Sequence, residues 1–345
     1  MTKKLALAVG INEYESNVFE NLTWCEADAE AMKNLLANHW GPEKDVAGPR
    51  NYNARSLTSA GGTRISADKL RQDVSMLMNH SMGEADVLFY FSGHGVANDE
   101  GGFLVTQDGT PENPGYPMKE LLDAANRSGN PSVTIILDCC HSGQIGNITD
   151  GEGLNRVSIS PNVTILAGAG ATQKAAEDWD HSLFTGMMLE ALNGGASDVR
   201  GEVTAAAVYA YLEQSLGPWE QTPVYKSYAR KFLPLRRCEP VVPDKILAQL
   251  PRWFRRPDSK YPMDPSYEYT DDSRDPVMVE IFEQFKDLRN GNLLTTNKWS
   301  EEDYPPHEPH THKELYWSAM TSDSVRLTPQ GRLMWKRAKR GDFGG

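Results

Sequence analysis

Cysteine is scarce in this sequence of 345 residues, which contains Cys25, Cys139, Cys140 and Cys238. So few cysteines, two of them adjacent, do not build a disulfide framework. The sequence also lacks the CxxC pairs that are typical of structural zinc sites. No stretch approaches the ~18 to 20 uninterrupted apolar residues of a membrane span. The first residues lead into a strand-like pattern instead of a cleavable signal. We therefore expect a cytoplasmic protein with reduced thiols and no membrane partner.

Positive charge is scarce in the first two thirds of the chain. The formal net charge is −12; residues 1–236 carry 18 Lys and Arg against 29 Asp and Glu, and residues 237–345 carry 17 against 18. This balance disfavours nonspecific nucleic-acid binding and slightly favours a cationic substrate. A charge of this size is also typical of an ordinary solvated surface, so it does not decide the substrate class.

Short apolar runs alternate with amphipathic segments through the first two thirds of the chain. Buried strands are predicted for KLALAVGI, ADVLFYFS, SVTIILD and VTILAGAG. Helical spacing follows or precedes them in CEADAEAMKNLLANHW, SADKLRQDVSMLMNHS, MKELLDAANRS, LFTGMMLEALNG and TAAAVYAYLEQSL. Ser66 is a predicted N-cap, Gly194 a predicted helix end, and TPVYKSY a predicted sheet edge. This alternation predicts an α/β fold with a mostly parallel sheet covered on both faces.

Two predicted strands end in reactive residues. His94 follows LFYFS between two glycines, and Cys139, Cys140 and His141 follow TIILD. Because ligands bind beyond the carboxyl ends of parallel strands, a histidine and a cysteine there can form a nucleophile and its base. A lone histidine or a lone buried cysteine is more often structural, and contiguous side chains diverge too much for a zinc site.

These residues also carry a family resemblance. FYFSGHG followed by LDCCHSG resembles the His and Cys motifs of caspase-like cysteine peptidases, in particular metacaspases and their bacterial relatives. AVGINEY, WCEADAEAM and GGFLVTQDG are similar to that family's first strand, first helix and hairpin. The resemblance covers residues 3–236. It implies a three-layer sandwich in which helices enclose a mostly parallel six-stranded sheet.

The resemblance assigns roles to individual residues. It implies that His94 is the general base and that Cys140 is the nucleophile, favoured over Cys139 because it directly precedes His-Ser-Gly. The N–H groups of Gly95 and Cys140 are the expected donors to the oxyanion.

The substrate pocket is assigned in the same way. Asp28 and Asp138 match acidic positions of the first specificity pocket of metacaspases, with Ser92 at its edge. Two carboxylates there would select Arg, with Lys as the looser alternative. Alternatively, Asp28 is a helix-surface charge and Asp138 a turn former.

The peptidase part is predicted to divide into residues 1–143, a loop at residues 144–162, and residues 163–236. The loop is polar, rich in glycine and without periodicity, and Arg156 is its only basic residue. If the enzyme cuts after Arg, Arg156 is the candidate self-cleavage site. An enzyme that is active without processing is the equally open alternative.

The rest of the chain differs in character. Residues 237–275 are rich in proline and aromatic residues and are predicted to be a connector. Residues 276–345 are predicted to form a small module that resembles a winged helix at SVRLTPQGRLMWKRAKRG. Its basic residues (Arg332, Lys336, Arg337, Lys339 and Arg340) could touch nucleic acid, but a solvated helix end is favoured. HEPHTH is interpreted as a loop rather than a metal site.

The sequence therefore predicts a cysteine endopeptidase that cleaves proteins after Arg or Lys. No cofactor is expected, and calcium activation is left open. An activating or recruiting protein is expected to bind residues 237–345, and nucleic acid is not an expected partner. By family analogy, the enzyme would be a regulated effector of cell death or antiviral defence. The alternatives are a catalytically silent scaffold whose last module recruits a partner, and a DNA-binding regulator.

Overall fold

The computed structural model describes residues 3–40, 49–79, 85–139, 159–168, 180–216, 223–229, 233–298 and 313–343, and the backbone of 148–149 and 155–156. The chain forms two compact units. The first unit contains Met1–Asp198 and Glu202–Glu239, and the second contains Val199–Gly201 and Pro240–Gly345.

The first unit is built on a six-stranded sheet. Its strands are β1 (Lys3–Gly10), β2 (Asn53–Thr58), β3 (Ala85–Ser92), β7 (Ser132–Asp138), β10 (Val163–Gly168) and β12 (Val224–Ser227). Their order in the sheet is β12-β10-β7-β3-β1-β2. Every pairing is parallel except that of β12 with β10. β12, which lies within the predicted edge segment TPVYKSY, is a terminal strand of the sheet. The predicted six-stranded, mostly parallel sheet is confirmed.

Both faces of this sheet are covered, which explains the uninterrupted apolar runs. The helices of this unit are α1 (Cys25–Ala37), α2 (Ala67–Met78), α3 (Met118–Arg127), α4 (Leu183–Glu190) and α5 (Ala205–Ser215). Because successive strand residues point to opposite faces, Phe89 and Phe91 pack with the side chains of α2 and α3. Leu88 and Tyr90 pack on the other face, with α1, α4 and α5.

The helix boundaries follow the local signals in the sequence. The Ser66 hydroxyl accepts a hydrogen bond from the N–H of Lys69 and caps α2, as predicted. Ser182 caps α4 in the same manner by accepting from the N–H of Thr185. After α4 the chain makes a π-helical turn at Ala191–Gly195, in which Gly194 has a φ of 125°. A side chain is strained at such a φ, so the predicted helix end is confirmed.

Short strands complete the first unit. They are β4 (Gly95–Asn98), β5 (Gly101–Val105), β6 (Gly115–Pro117), β8 (Ile148–Thr149), β9 (Asn155–Arg156), β11 (Glu202–Val203) and β13 (Arg236–Arg237). The antiparallel pair β4–β5 is the hairpin at GGFLV. The pairing of β8 with β9 corrects the prediction that residues 144–162 form only a loop. Two residues per strand are too few to produce a readable period-2 pattern.

The second unit has its own hydrophobic core. Its elements are α6 (Asp244–Leu247), α7 (Leu250–Trp253), β14 (Lys260–Pro262), α8 (Pro276–Asn290), β15 (Leu294–Thr296), α9 (Lys313–Met320), β16 (Ser324–Leu327) and α10 (Pro329–Lys339). The strands form an antiparallel sheet with the order β14-β16-β15. Leu250 and Phe254, from the predicted connector, are buried with Phe282 and Phe285 of α8. The connector sequence is therefore part of this unit, and the winged-helix likeness stays a prediction.

In the described ranges, the structure contains no helix whose length and hydropathy would suit a bilayer crossing.

Candidate active site

The two reactive segments follow neighbouring parallel strands at equivalent positions. Ser92, the last residue of β3, is in register with Asp138, the last residue of β7, and the N–H of Gly93 donates to the carbonyl of Asp138 at 3.3 Å. His94 and Cys140 each lie two residues beyond this pair. Adjacent strands are about 4.8 Å apart, so the two segments begin next to each other at the carboxyl ends of β3 and β7. Cys140 itself lies outside the described residues.

The His94 ring is held by a backbone carbonyl. Its Nε2 lies 2.8 Å from the carbonyl oxygen of Glu20. A carbonyl oxygen only accepts hydrogen bonds, so Nε2 carries the hydrogen when the ring is neutral. Nδ1 is then the basic nitrogen, which is the group that a thiol donor needs. The rings of Tyr14 and Phe19 flank the imidazole at centroid distances of 4.9 and 6.1 Å.

Tyr14 also fixes the backbone of this loop. Its hydroxyl accepts a hydrogen bond from the N–H of His94 at 2.9 Å and donates one to the carbonyl of Ile11 at 3.1 Å. Burial raises the pKa of Tyr14, so the hydroxyl keeps its proton. A Cβ on Gly93 would lie 2.9 Å from the Phe91 ring, so the glycine before His94 is required by packing.

The amide of Gly95 points away from the hairpin ladder. Val105 N–H donates to the carbonyl of His94 at 3.0 Å, so this carbonyl faces β5. The N–H of Gly95 belongs to the same trans peptide unit and therefore points the opposite way. The Gly95 N–H consequently faces away from β5, as an oxyanion donor would have to.

The other described cysteines near this edge are buried. Cys139 is 0% exposed and belongs to the core on the α2 and α3 face of the sheet, whereas Asp138 faces the opposite side. Burial raises the pKa of Cys25 to about 12, so it remains a thiol. Neither buried side chain is accessible to a substrate, so Cys140 stays the predicted nucleophile.

Asp28 is a buried carboxylate near the same strand ends. It is 0% exposed, and the Ser92 hydroxyl donates to its Oδ2 at 3.1 Å. Its Oδ1 accepts from His181 Nδ1 at 2.9 Å and from the N–H of Ser182 at 3.3 Å. Burial raises the pKa of Asp28, and these donors oppose that shift.

Asp138 is the second buried carboxylate and is 3% exposed. Its Oδ2 accepts from the Thr185 hydroxyl at 2.6 Å and also from the Ser182 hydroxyl. Tyr90 lies behind, with its hydroxyl 2.5 Å from Thr185 Oγ1. Burial, with a further contribution from the charge of Asp28, raises the pKa of Asp138 to about 6. Ser182 contacts both carboxylates, so one residue at the start of α4 links them.

A family model of the caspase domain matches residues 3–233. The chain belongs to the caspase-domain family.

Solved structures with similarity to this caspase-family chain include a protein from Geobacter sulfurreducens, with 18% identity and a TM-score of 0.49, covering 69% of this chain and 100% of that one. Pro-sf-caspase-1 matches with 13% identity and a TM-score of 0.45, covering 68% and 94%. Caspase-1 from Spodoptera frugiperda matches with 12% identity and a TM-score of 0.44, covering 68% and 92%. No curated protein sequence matches the chain.

The structure of this caspase-family chain brings several predicted site residues together. Asp28, Ser92 and Asp138 lie in one hydrogen-bonded network through Ser182, next to the loop that carries His94. Their catalytic and binding roles stay predictions. The HEPHTH histidines and His141 lie outside the described residues. Arg156 is described by its backbone alone, in β9 opposite Ile148.

The sequence reasoning missed four parts of this site. His181 and Ser182 had no predicted role, and Thr185 was predicted only as part of the helix LFTGMMLEALNG, although a serine directly before an apolar helix is a common cap. The fourth part, the Glu20 carbonyl, has no side-chain signal at all. The distances in sequence are large, since His181 and Asp28 are 153 residues apart. In the part of the chain that the structure describes, no group of three or more His, Cys, Asp or Glu could hold a metal ion.

Proposed function

We propose that this caspase-family chain is a cysteine endopeptidase that cleaves after Arg or Lys. The observation that carries the proposal is a pair of buried carboxylates, Asp28 of α1 and Asp138 at the end of β7. They are linked through Ser182 beside the strand ends that lead to His94 and Cys140. Water-excluded carboxylates are costly to maintain, and a bound cation would offset that cost.

The proposed reaction is acyl transfer through a thioester. His94 Nδ1 removes the proton of the Cys140 thiol, and the thiolate attacks the scissile carbonyl. The N–H groups of Gly95 and Cys140 donate to the oxyanion of the tetrahedral intermediate. The imidazolium then gives its proton to the leaving amine, and water hydrolyses the thioester. The Glu20 carbonyl accepts from Nε2–H, so Nδ1 is the nitrogen that takes up the thiol proton and gives it to the leaving amine.

The choice of Arg over Lys follows from geometry. A guanidinium presents a planar fork of N–H donors that can reach two carboxylates, whereas an ammonium is a compact point charge. Asp28 and Asp138 are joined through Ser182, and Asp28 also contacts Ser92 at the predicted edge of the pocket. A guanidinium bound there would lower the pKa of Asp138 from about 6 and keep both carboxylates ionised.

The experiment uses fluorogenic peptides that end in Arg, Lys or Asp before the reporter. Wild type should cleave the Arg peptide best, then the Lys peptide, and should leave the Asp peptide intact. Cys140→Ala should abolish turnover. Cys139→Ala is the matched control and should keep most of it, because that side chain is in the core.

Two results would overturn the proposal. Cleavage of the Asp peptide would refute the assignment of Asp28 and Asp138 to a pocket for basic side chains. Turnover that survives in Cys140→Ala would refute the assignment of Cys140 as the nucleophile. Wild type that cleaves no peptide but still binds a partner would favour the scaffold alternative.

We further propose that the enzyme is a regulated cytoplasmic effector, in cell death or antiviral defence, because an unregulated protease would damage its own cell. The second unit, with its separate core, is the proposed site for an activating or recruiting protein. Arg156 is the proposed self-cleavage site. Incubation of wild type should yield a new N terminus at residue 157, detected by mass spectrometry, and Arg156→Gln should remain one chain.

A further inference from the structure

The second unit contains a polar cavity of about 400 Å³ at the junction of its sheet with α10. We propose that this cavity binds a small phosphate-bearing ligand of the size of pyrophosphate or a nucleoside triphosphate. Its lining is Arg289, Asn292, Thr295, Arg326, Leu327, Thr328, Pro329 and Arg332. The volume lies within the ~300 to 1,000 Å³ that is usual for small-molecule sites.

The lining carries an excess of positive charge. Three of its residues are arginines and none is acidic. Arg289 Nε donates to Glu314 Oε1 at 2.8 Å, and Glu314 is buried, so this guanidinium is anchored. Arg326 and Arg332 are exposed and would move onto a ligand. Guanidinium groups bind phosphate oxygens in bidentate fashion, which makes a multiply charged phosphate the best match.

The sheet adds a further cation on the same side. Arg326 lies in β16, the central strand, directly opposite Lys260 of β14 and Thr295 of β15. Residues that are directly opposite in an antiparallel sheet project to the same face. Lys260 and Thr295 therefore share the face of Arg326, which gives this side of the sheet two cations and a hydroxyl.

The helix that closes the cavity is held firmly at its start. Thr328 caps α10 by accepting from the N–H of Gly331 at 3.0 Å, and its hydroxyl donates to the carbonyl of Asn292 at 2.7 Å. A Cβ at Gly331 would overlap the carbonyl oxygen of Leu293, so helix and loop are in direct contact. The positive end of the α10 dipole therefore adds to the three arginines at a fixed position.

A small ligand fits these features better than nucleic acid does. The arginines line a concave site, whereas duplex binding needs cations spread along an extended surface. Residues 237–345 contain 17 Lys and Arg against 18 Asp and Glu, so the unit as a whole is not basic. The three arginines of the cavity are therefore a local cluster and not part of a generally basic surface.

The test is isothermal titration calorimetry of the full chain with sodium pyrophosphate and, separately, with ATP. Wild type should bind at least one of them, and Arg326→Glu and Arg332→Glu should each weaken that binding at least tenfold. Arg332→Gln keeps the test valid if charge reversal perturbs folding. Arg255→Glu is the matched control, since Arg255 is exposed in the same unit but does not line the cavity.

Three outcomes would overturn the inference. The first is that neither probe binds to wild type, and the second is that the Arg326 and Arg332 variants bind the probes as tightly as wild type does. The third is that a 12-base-pair DNA duplex binds more tightly than ATP. Peptide cleavage by Cys140 is not used as a readout, so failure of this proposal and failure of the proposed peptidase activity are separate results.

Discussion

Substitution of Asp138 by Asn should have opposite effects on two measured quantities. It should raise the free energy of unfolding and lower the rate of cleavage of the Arg peptide. Asn has nearly the same shape and can still accept a hydrogen bond from the Ser182 or Thr185 hydroxyl, but it cannot ionise. In the native structure burial raises the pKa of Asp138 to about 6 from an ordinary value of 3.8. The folded state therefore holds a proton that the unfolded state releases between these two values.

The sign and size of the effect follow from this difference. Because the native pKa is raised, the stability that Asp138 contributes is fully present below pH 3.8 and is lost as the pH rises through about 6. Roughly two pKa units at 1.36 kcal/mol each give about 3 kcal/mol. Asp138→Asn should thus be up to about 3 kcal/mol more stable than wild type at pH 8 and equally stable near pH 3.5.

The assay is urea unfolding of both proteins from pH 3.5 to 8, with Asp99→Asn as an exposed control that should follow wild type. At pH 8 Asp138→Asn should lose at least about 30-fold in kcat/KM on the Arg peptide, since a removed charge contact of about 2 kcal/mol has that effect.

The reasoning is refuted if Asp138→Asn is less stable than wild type at pH 8, or if the two stability curves run parallel. A variant that is more stable yet cleaves the Arg peptide normally would place Asp138 outside the substrate pocket.

Other changes test separate parts of the structure. Tyr14→Phe removes the hydroxyl that holds the N–H of His94, and we expect kcat to fall about tenfold with KM little changed, measured with the Arg peptide. Thr185→Val removes a donor to Asp138 and should cost about 1 to 3 kcal/mol in urea unfolding at pH 8, but less at pH 4, where the carboxyl is protonated. Gly331→Ala drives a methyl into a carbonyl oxygen and should destabilise the second unit by more than about 2 kcal/mol, while peptide cleavage persists. Equal unfolding curves for wild type and Gly331→Ala would contradict the close approach at that helix.

Most of the central sheet could be predicted because its strands are buried on both faces. The run ADVLFYFS is entirely buried, and its length of 8 residues and its aromatic side chains favour a strand over a buried helix. β2 (NARSLT) could not be found in this way, since it is a polar strand at the sheet edge and only its pairing with β1 defines it. The hairpin of β8 and β9 was missed for a similar reason.

By itself, the sequence determined the buried strands of the central sheet and the helices between them, the cap at Ser66, and the types of reactive side chain at two strand ends. These features depend on neighbours within a few residues, so periodicity and local hydrogen bonding reveal them. Tertiary structure alone decided that the Glu20 carbonyl orients His94 and that Ser182 links Asp28 with Asp138. It alone gathered the cavity arginines from α8, β16 and α10. These contacts join segments far apart in the chain, and sheet order and helix packing, which no local pattern encodes, set their distances.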